Sequence, residues 1–187
     1  MRAFLALRLP DDVERSLAVL QQELAGTGAD VKWVAPPNLH VTLKFLDEIT
    51  EQQRHAIEGV LAEVGRVEAP FSITLDRVGA FPSLSSPRVV WVGVGEGRER
   101  VIRLAERLEQ GCGTLGLRKE ERPFAAHVTL GLVRTPRRQA ELGRVLREYA
   151  WRPPVSWAVT SLTLYQSVVS SGGPTYSVLA EVPLKSG

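Results

Sequence analysis

The tetrapeptide His40-Val41-Thr42-Leu43 occurs twice in this chain, returning as His127-Val128-Thr129-Leu130. An internal repeat asks for two similar halves and so constrains the architecture more than any other feature of the sequence. The repeat uses two of the chain's three histidines. Each copy lies in a run with strand character, approached through Pro36-Pro37 in the first case and Pro123 in the second. Side chains two apart in a strand project to one face. His40 and Thr42 therefore share a surface, as do His127 and Thr129, while Val41, Leu43, Val128 and Leu130 turn toward a core. Two halves facing each other about a pseudo-twofold axis would line one cleft with two imidazoles and two hydroxyls.

The remaining pattern supports that arrangement. Strands are expected over residues 2–9, 31–34, 39–46, 71–81, 88–94 and 126–133, with a closing hairpin of 155–169 and 175–184 around Ser170-Ser171-Gly172-Gly173. Pro10-Asp11-Asp12 opens a helix with Val13, Leu17, Leu20 and Leu24 on one face. Thr50 and Gln53 have capping-box spacing ahead of a helix burying Ile57, Leu61 and Val64. A third helix runs over about residues 96–110 and carries Val101, Leu104, Ala105 and Leu108. Thr135-Pro136 is expected to cap a fourth, with Leu142, Val145, Leu146 and Tyr149 inward. Residues 111–121 show no clear pattern. Helices alternate with strands, and hairpins are frequent. The fold class is therefore α+β: two pseudo-symmetric lobes, each an antiparallel sheet with helices on its outer side, around a central cleft. No linker divides the chain, so residues 1–187 are expected to form one two-lobed domain.

Composition narrows the function. The chain is 44% hydrophobic and 24% charged, enough to bury a real core in 187 residues. No apolar run approaches the ~18 residues of a spanning helix, and the apolar stretch after Met1 is too short for a signal peptide. No membrane partner is expected. One cysteine, Cys112, excludes an internal disulfide and a Cys-rich zinc site, and fits the reducing cytoplasm. The formal charge is only +2, which excludes a polycation, although 19 arginines stand against 4 lysines. Arginine suits planar phosphate contacts. A GC-rich genome or heat adaptation is the plainer account of the bias.

Two histidines and two hydroxyls suit phosphoester chemistry. One neutral imidazole can take a proton while a charged one gives a proton, and histidine titrates where both states are accessible. Threonine hydroxyls can donate to non-bridging phosphate oxygens. No metal and no cofactor is expected, since nothing nominates a third ligand beside the histidines. The plain alternative, two satisfied core histidines, leaves the duplicated hydroxyl partner unexplained. His55 falls on the polar side of its helix and is expected to be solvated. Cys112 has no local motif and is expected to be structural. Gly93-Val94-Gly95-Glu96-Gly97 lacks the third glycine of a dinucleotide loop, because Arg98 stands there.

At this point the chain resembles the two-histidine phosphoesterase superfamily, and within it the RNA 2′,3′-cyclic phosphodiesterases, also called 2′-5′ RNA ligases. The resemblance runs from the strand Arg2-Ala3-Phe4-Leu5-Ala6-Leu7 through Lys32-Trp33-Val34 and Pro37-Asn38-Leu39-His40-Val41-Thr42-Leu43-Lys44-Phe45-Leu46. It continues in Gly79-Ala80-Phe81-Pro82, Arg88-Val89-Val90-Trp91 and Phe124-Ala125-Ala126-His127-Val128-Thr129-Leu130. Leu164-Tyr165-Gln166-Ser167 and Gly173-Pro174-Thr175-Tyr176 close it. The resemblance implies hydrolysis of RNA 2′,3′-cyclic phosphate ends to a 2′-phosphate, with reversible 2′-5′ ligation as a side activity. It implies His40 as proton donor and His127 as proton acceptor, roles the near-identical repeats do not distinguish. Thr42 and Thr129 would hold the phosphate oxygens. Trp33, Lys44, Arg134 and Tyr165 are the expected substrate-binding residues. The expected partners are RNA ends or cyclic nucleotides, and a monomer is expected. Two positions depart from the family pattern. Asp47 replaces a usual glycine, adding negative charge near the cleft, and Leu132 stands where an arginine is frequent, with Arg134 as its possible substitute. The rival reading is a non-catalytic module of the same fold that captures a nucleotide or RNA end.

Overall fold

The computed structural model describes residues 1–150 and 154–185. Among these described residues, nine strands run in chain order as β1 (Arg2–Arg8), β2 (Val31–Trp33), β3 (His40–Glu48), β4 (Phe71–Pro82), β5 (Pro87–Val94), β6 (His127–Val133), β7 (Val155–Val159), β8 (Ser161–Ser170) and β9 (Gly173–Pro183). Four α-helices intervene among the same residues: α1 (Asp11–Ala25), α2 (Glu51–Val67), α3 (Arg98–Thr114) and α4 (Gln139–Glu148). A 3-10 turn, Pro36–Asn38, leads into β3.

The strand order is β7-β4-β5-β6-β3-β1-β8-β9, with β2 also on β6, and the pairings are antiparallel. Among the described residues, β3 and β6 meet at one residue pair, Val41 with Val128. Beyond it β2 takes over the edge of β6, pairing Val31, Lys32 and Trp33 with Val133, Leu132 and Gly131. The strands of the two halves therefore part, and the expected two lobes open on either side of that seam. Helices α2 and α3 pack on the β3-β1-β8-β9 half, and α1 and α4 on the other.

Burial follows the expected stripes. Val13, Leu17, Leu20 and Leu24 of α1 are buried, as are Ile57, Leu61 and Val64 of α2. Val101, Leu104, Leu108 and Cys112 of α3 and Leu142 and Leu146 of α4 complete the set. Each fully buried aliphatic side chain contributes about 1.5–3 kcal/mol. The sheet answers with Leu5, Leu7, Val41, Val90, Val92, Val128 and Leu130, all at most 1% exposed. The Thr50/Gln53 capping box forms in full.

Three expectations change. The strand over 155–169 is two strands, broken at Thr160, because β7 pairs with β4 in one half and β8 with β1 in the other. Thr135-Pro136 does not cap α4. The chain makes a further turn, and Arg138, at φ 51°, precedes the first helical residue. Residues 111–114 continue α3, whose periodicity brings Cys112 into the core.

Candidate active site

The register places the four repeat residues. Val41 opposite Val128 in an antiparallel pair sets His40 opposite Thr129 and Thr42 opposite His127. Imidazoles and hydroxyls thus alternate around a quadrilateral. The two histidines are diagonal neighbours, at least about 7–8 Å apart on a sheet lattice, and the parting strands widen the gap.

Each imidazole is fixed in the same way. His40 Nδ1 lies 2.6 Å from the carbonyl oxygen of Asn38, and His127 Nδ1 lies 2.6 Å from that of Ala125. A carbonyl oxygen only accepts, so Nδ1 carries the hydrogen and donates it in both rings. Nε2 is then the working nitrogen of each. His40 Nε2 accepts from the Thr42 hydroxyl at 2.8 Å, whereas among the described residues His127 Nε2 has no such partner. Burial pushes both imidazoles below their ordinary pKa, against the opposing pull of the two carbonyls. The nearby His127 lowers His40 further.

Aromatic rings wall the histidines. Phe4 lies 4.8 Å from His40 between ring centroids, and Tyr176 meets His40 edge-to-face at 5.5 Å. Tyr165, at 6.5 Å from His40, stacks on Phe4 at 5.2 Å. On the other side Phe81 meets His127 edge-to-face at 5.2 Å. Tyr165 is thus beside a histidine. Phe4, Phe81 and Tyr176 lie in segments that carry the family resemblance, but they were not singled out as binding residues. Their places depend on strand register and on the hairpin folding back.

Lys44 is not in the cleft. Its ammonium, on a side chain only 2% exposed, pairs with Glu109 of α3 at 2.8 Å and donates to the Arg118 carbonyl at 3.0 Å. The reason is a bulge: Thr42 pairs with Ala6 and Lys44 with Leu5, leaving Leu43 as the extra residue and turning Lys44 to the helix side. The second repeat bulges at the equivalent place. Thr129 pairs with Trp91 and Gly131 with Val90, leaving Leu130 unmatched. The Leu130 carbonyl is taken by Val34 N–H at 2.8 Å and by the buried Gln21 amide at 2.9 Å. After each bulge an apolar residue is exposed, Phe45 at 60% and Leu132 at 48%.

Two further candidates have partners of their own. Arg134 lies past the end of β6, largely exposed, and pairs with Asp30 at 2.8 Å. Trp33 packs with Val31 over Gly131 against the apolar core, because positions 31 and 33 share one face of β2. Asp47 has a positive φ of 56°, the left-handed backbone that explains the family's glycine. It sits at the far end of β3, opposite Ala3, away from the histidines. His55 is 72% exposed beside Glu58, and burial pushes the Cys112 thiol up to about 11, as a structural role requires.

Two histidine–threonine pairs face one another across a single strand seam, the arrangement expected of a two-histidine phosphoesterase. The chain belongs to the 2′-5′ RNA ligase superfamily, which it matches over residues 9–170. It is 38% identical over 179 residues to the RNA 2′,3′-cyclic phosphodiesterase of Archaeoglobus fulgidus, covering 96% of this chain and 98% of that protein. It is 34% identical to the RNA 2′,3′-cyclic phosphodiesterase of Thermus thermophilus, covering 99% of this chain and 91% of the relative. Among solved structures it is similar to E. coli LigT, with a TM-score of 0.78 and 28% identity over 99% of this chain and 98% of LigT. LigT has also been crystallised with 3′-AMP.

Proposed function

We propose that this protein hydrolyses RNA 2′,3′-cyclic phosphate ends to 2′-phosphates, with reversible 2′-5′ ligation as a side activity. The observation that supports the reading is the pairing of Val41 with Val128, which brings His40 and His127 to diagonal positions across one strand seam. In-line displacement needs an acid and a base on opposite sides of phosphorus. Water attacks phosphorus and passes its proton to His127 Nε2. The bond from phosphorus to the ribose 3′-oxygen breaks, and His40 Nε2 gives that oxygen a proton. Thr42 and Thr129 donate to the non-bridging oxygens as charge grows. Both imidazoles are held toward neutrality in the free site. The phosphate's negative charge favours protonating one of them on binding, which arms the acid when substrate is present.

The names of the Archaeoglobus and Thermus relatives support the substrate class. The reading includes a cytoplasmic monomer formed as one two-lobed domain over residues 1–187, supported by the lone buried cysteine and by the seam joining the halves. A defined oligonucleotide ending in a 2′,3′-cyclic phosphate, incubated with the protein in EDTA, tests it. The product is compared with 2′- and 3′-phosphate standards. A 2′-phosphate is expected. Binding without turnover would support the capture module, and a 3′-phosphate would overturn the bond assignment.

A further inference from the structure

Three strands carry one row of residues across the cleft face. Arg77 of β4 pairs with Gly93 of β5, and Gly93 pairs with His127 of β6. Residues directly opposite across a ladder share a face. Arg77 and His127 are therefore on one surface, two strand spacings apart, on the order of 10 Å. A side chain at position 93 would separate them, but the residue is glycine. The Arg77 side chain lies over it: a Cβ on Gly93 would stand 3.0 Å from Arg77 Nε and 3.2 Å from Arg77 Cγ. The Trp91 ring borders the same spot at 3.1 Å. The Arg77 side chain thus lies over β5 as far as Nε, on the face it shares with His127. It is half exposed, and among the described residues its only ion pair is with Asp76, at 3.7 Å. The other arginine beside a histidine, Arg8 opposite His40, is already bound to Glu181 at 2.9 Å.

We propose that Arg77 grips the RNA phosphodiester immediately upstream of the reacting end. This rests on the RNA-end reading of the site. The reacting phosphorus lies between β6 and β3, so His127 stands between it and Arg77. Arg77 is placed for a phosphate one nucleotide away along the backbone, on the β5 and β4 side. An RNA with a cyclic phosphate at its 3′ end has phosphates only in the upstream direction. A planar fork with free donors is the group that holds such an oxygen pair.

The test compares a nucleoside 2′,3′-cyclic phosphate with a free 5′-hydroxyl, which lacks that phosphodiester, and a dinucleotide ending in the same cyclic phosphate, which has it. In Arg77→Ala the ratio of kcat/KM for dinucleotide to mononucleotide should fall about tenfold, through KM, the size of one charge-assisted hydrogen bond. Arg77→Lys should recover part of the loss, as a point charge without the fork. With a longer RNA, the slope of log kcat/KM against log salt should shrink by about 0.7 in Arg77→Ala, one phosphate contact on a single strand. Arg103→Ala, on the outer helix α3, removes the same charge and should keep both rates and the slope. An unchanged ratio in Arg77→Ala, or an equal loss on both substrates, would overturn the proposal. Failure of the unaltered protein to turn over either substrate would overturn the RNA-end reading beneath it, and the proposal with it.

Discussion

Among the described residues, Val41 and Val128 form the one strand pair joining β3 to β6, and the flanking residues inherit their positions from it. His40 faces Thr129 and Thr42 faces His127, so each half contributes to both corners of the site. Both valines are fully buried, and exchanging either for a smaller residue loosens a contact on which the acid–base geometry depends.

Removing either histidine should cost far more than half the activity. Loss of a general acid or base lowers rates by about 10²–10⁴. Groups that act as a unit are non-additive, so the double variant should be little worse than either single one. Steady-state rates of His40→Ala, His127→Ala and the pair measure this, with the exposed His55→Ala as the variant that keeps its rate. A near-normal rate in either single variant would remove the assignment.

The free protein should titrate both active-site histidines below their ordinary 6.5, because burial disfavours the charged rings. A depressed histidine binds fewer protons folded than unfolded. The stability it contributes is present above the unfolded value and is lost as pH falls below about 6.5. Imidazole NMR should place both midpoints below 6.5, and inorganic phosphate should raise at least one. The activity profile should be bell-shaped, since one ring must be neutral and the other charged. Midpoints above 6.5 without phosphate would contradict the burial argument.

Lys44 should matter to stability and not to substrate. Lys44→Ala removes the ammonium that meets Glu109 and the Arg118 carbonyl, and should cost about 1–3 kcal/mol. Glu109 is a quarter exposed, which keeps the loss below that of a fully buried pair. Urea unfolding gives the first quantity and KM the second. A raised KM with unaltered unfolding would return Lys44 to the site.

Asp47→Gly should stabilise the protein by about 0.5–1 kcal/mol. The left-handed backbone at φ 56° strains a residue with a Cβ, and glycine relieves it at some cost in unfolded-chain entropy. The urea midpoint should rise with the slope unchanged. Asp47 is far from the histidines along β3, so the rate should stay the same.

The duplicated His-Val-Thr-Leu, the alternation that puts imidazole and hydroxyl on one face, and the apolar stripes of the helices are local properties. Strand and helix periods carry them, so the sequence alone determined the candidate His–Thr quartet, the α+β class and the two lobes. Lys44 shows where that reasoning stops. Two-residue alternation assigns it to the cleft, and one extra residue at Leu43 turns it to the helices. A bulge is set by how two strands align, which neither strand encodes by itself. The surroundings of Trp33 and Arg134 are likewise out of reach of periodicity, since the partner of β2 and the position of Asp30 are long-range facts. Phe4, Phe81 and Tyr176 reach the histidines, and Arg77 lies over Gly93 on the face it shares with His127, only through the register of strands distant in the chain. Periodicity within a strand tells which side chains share a face. Only the tertiary structure decides which residues of other strands share it with them, because register is fixed by packing between segments far apart in the chain.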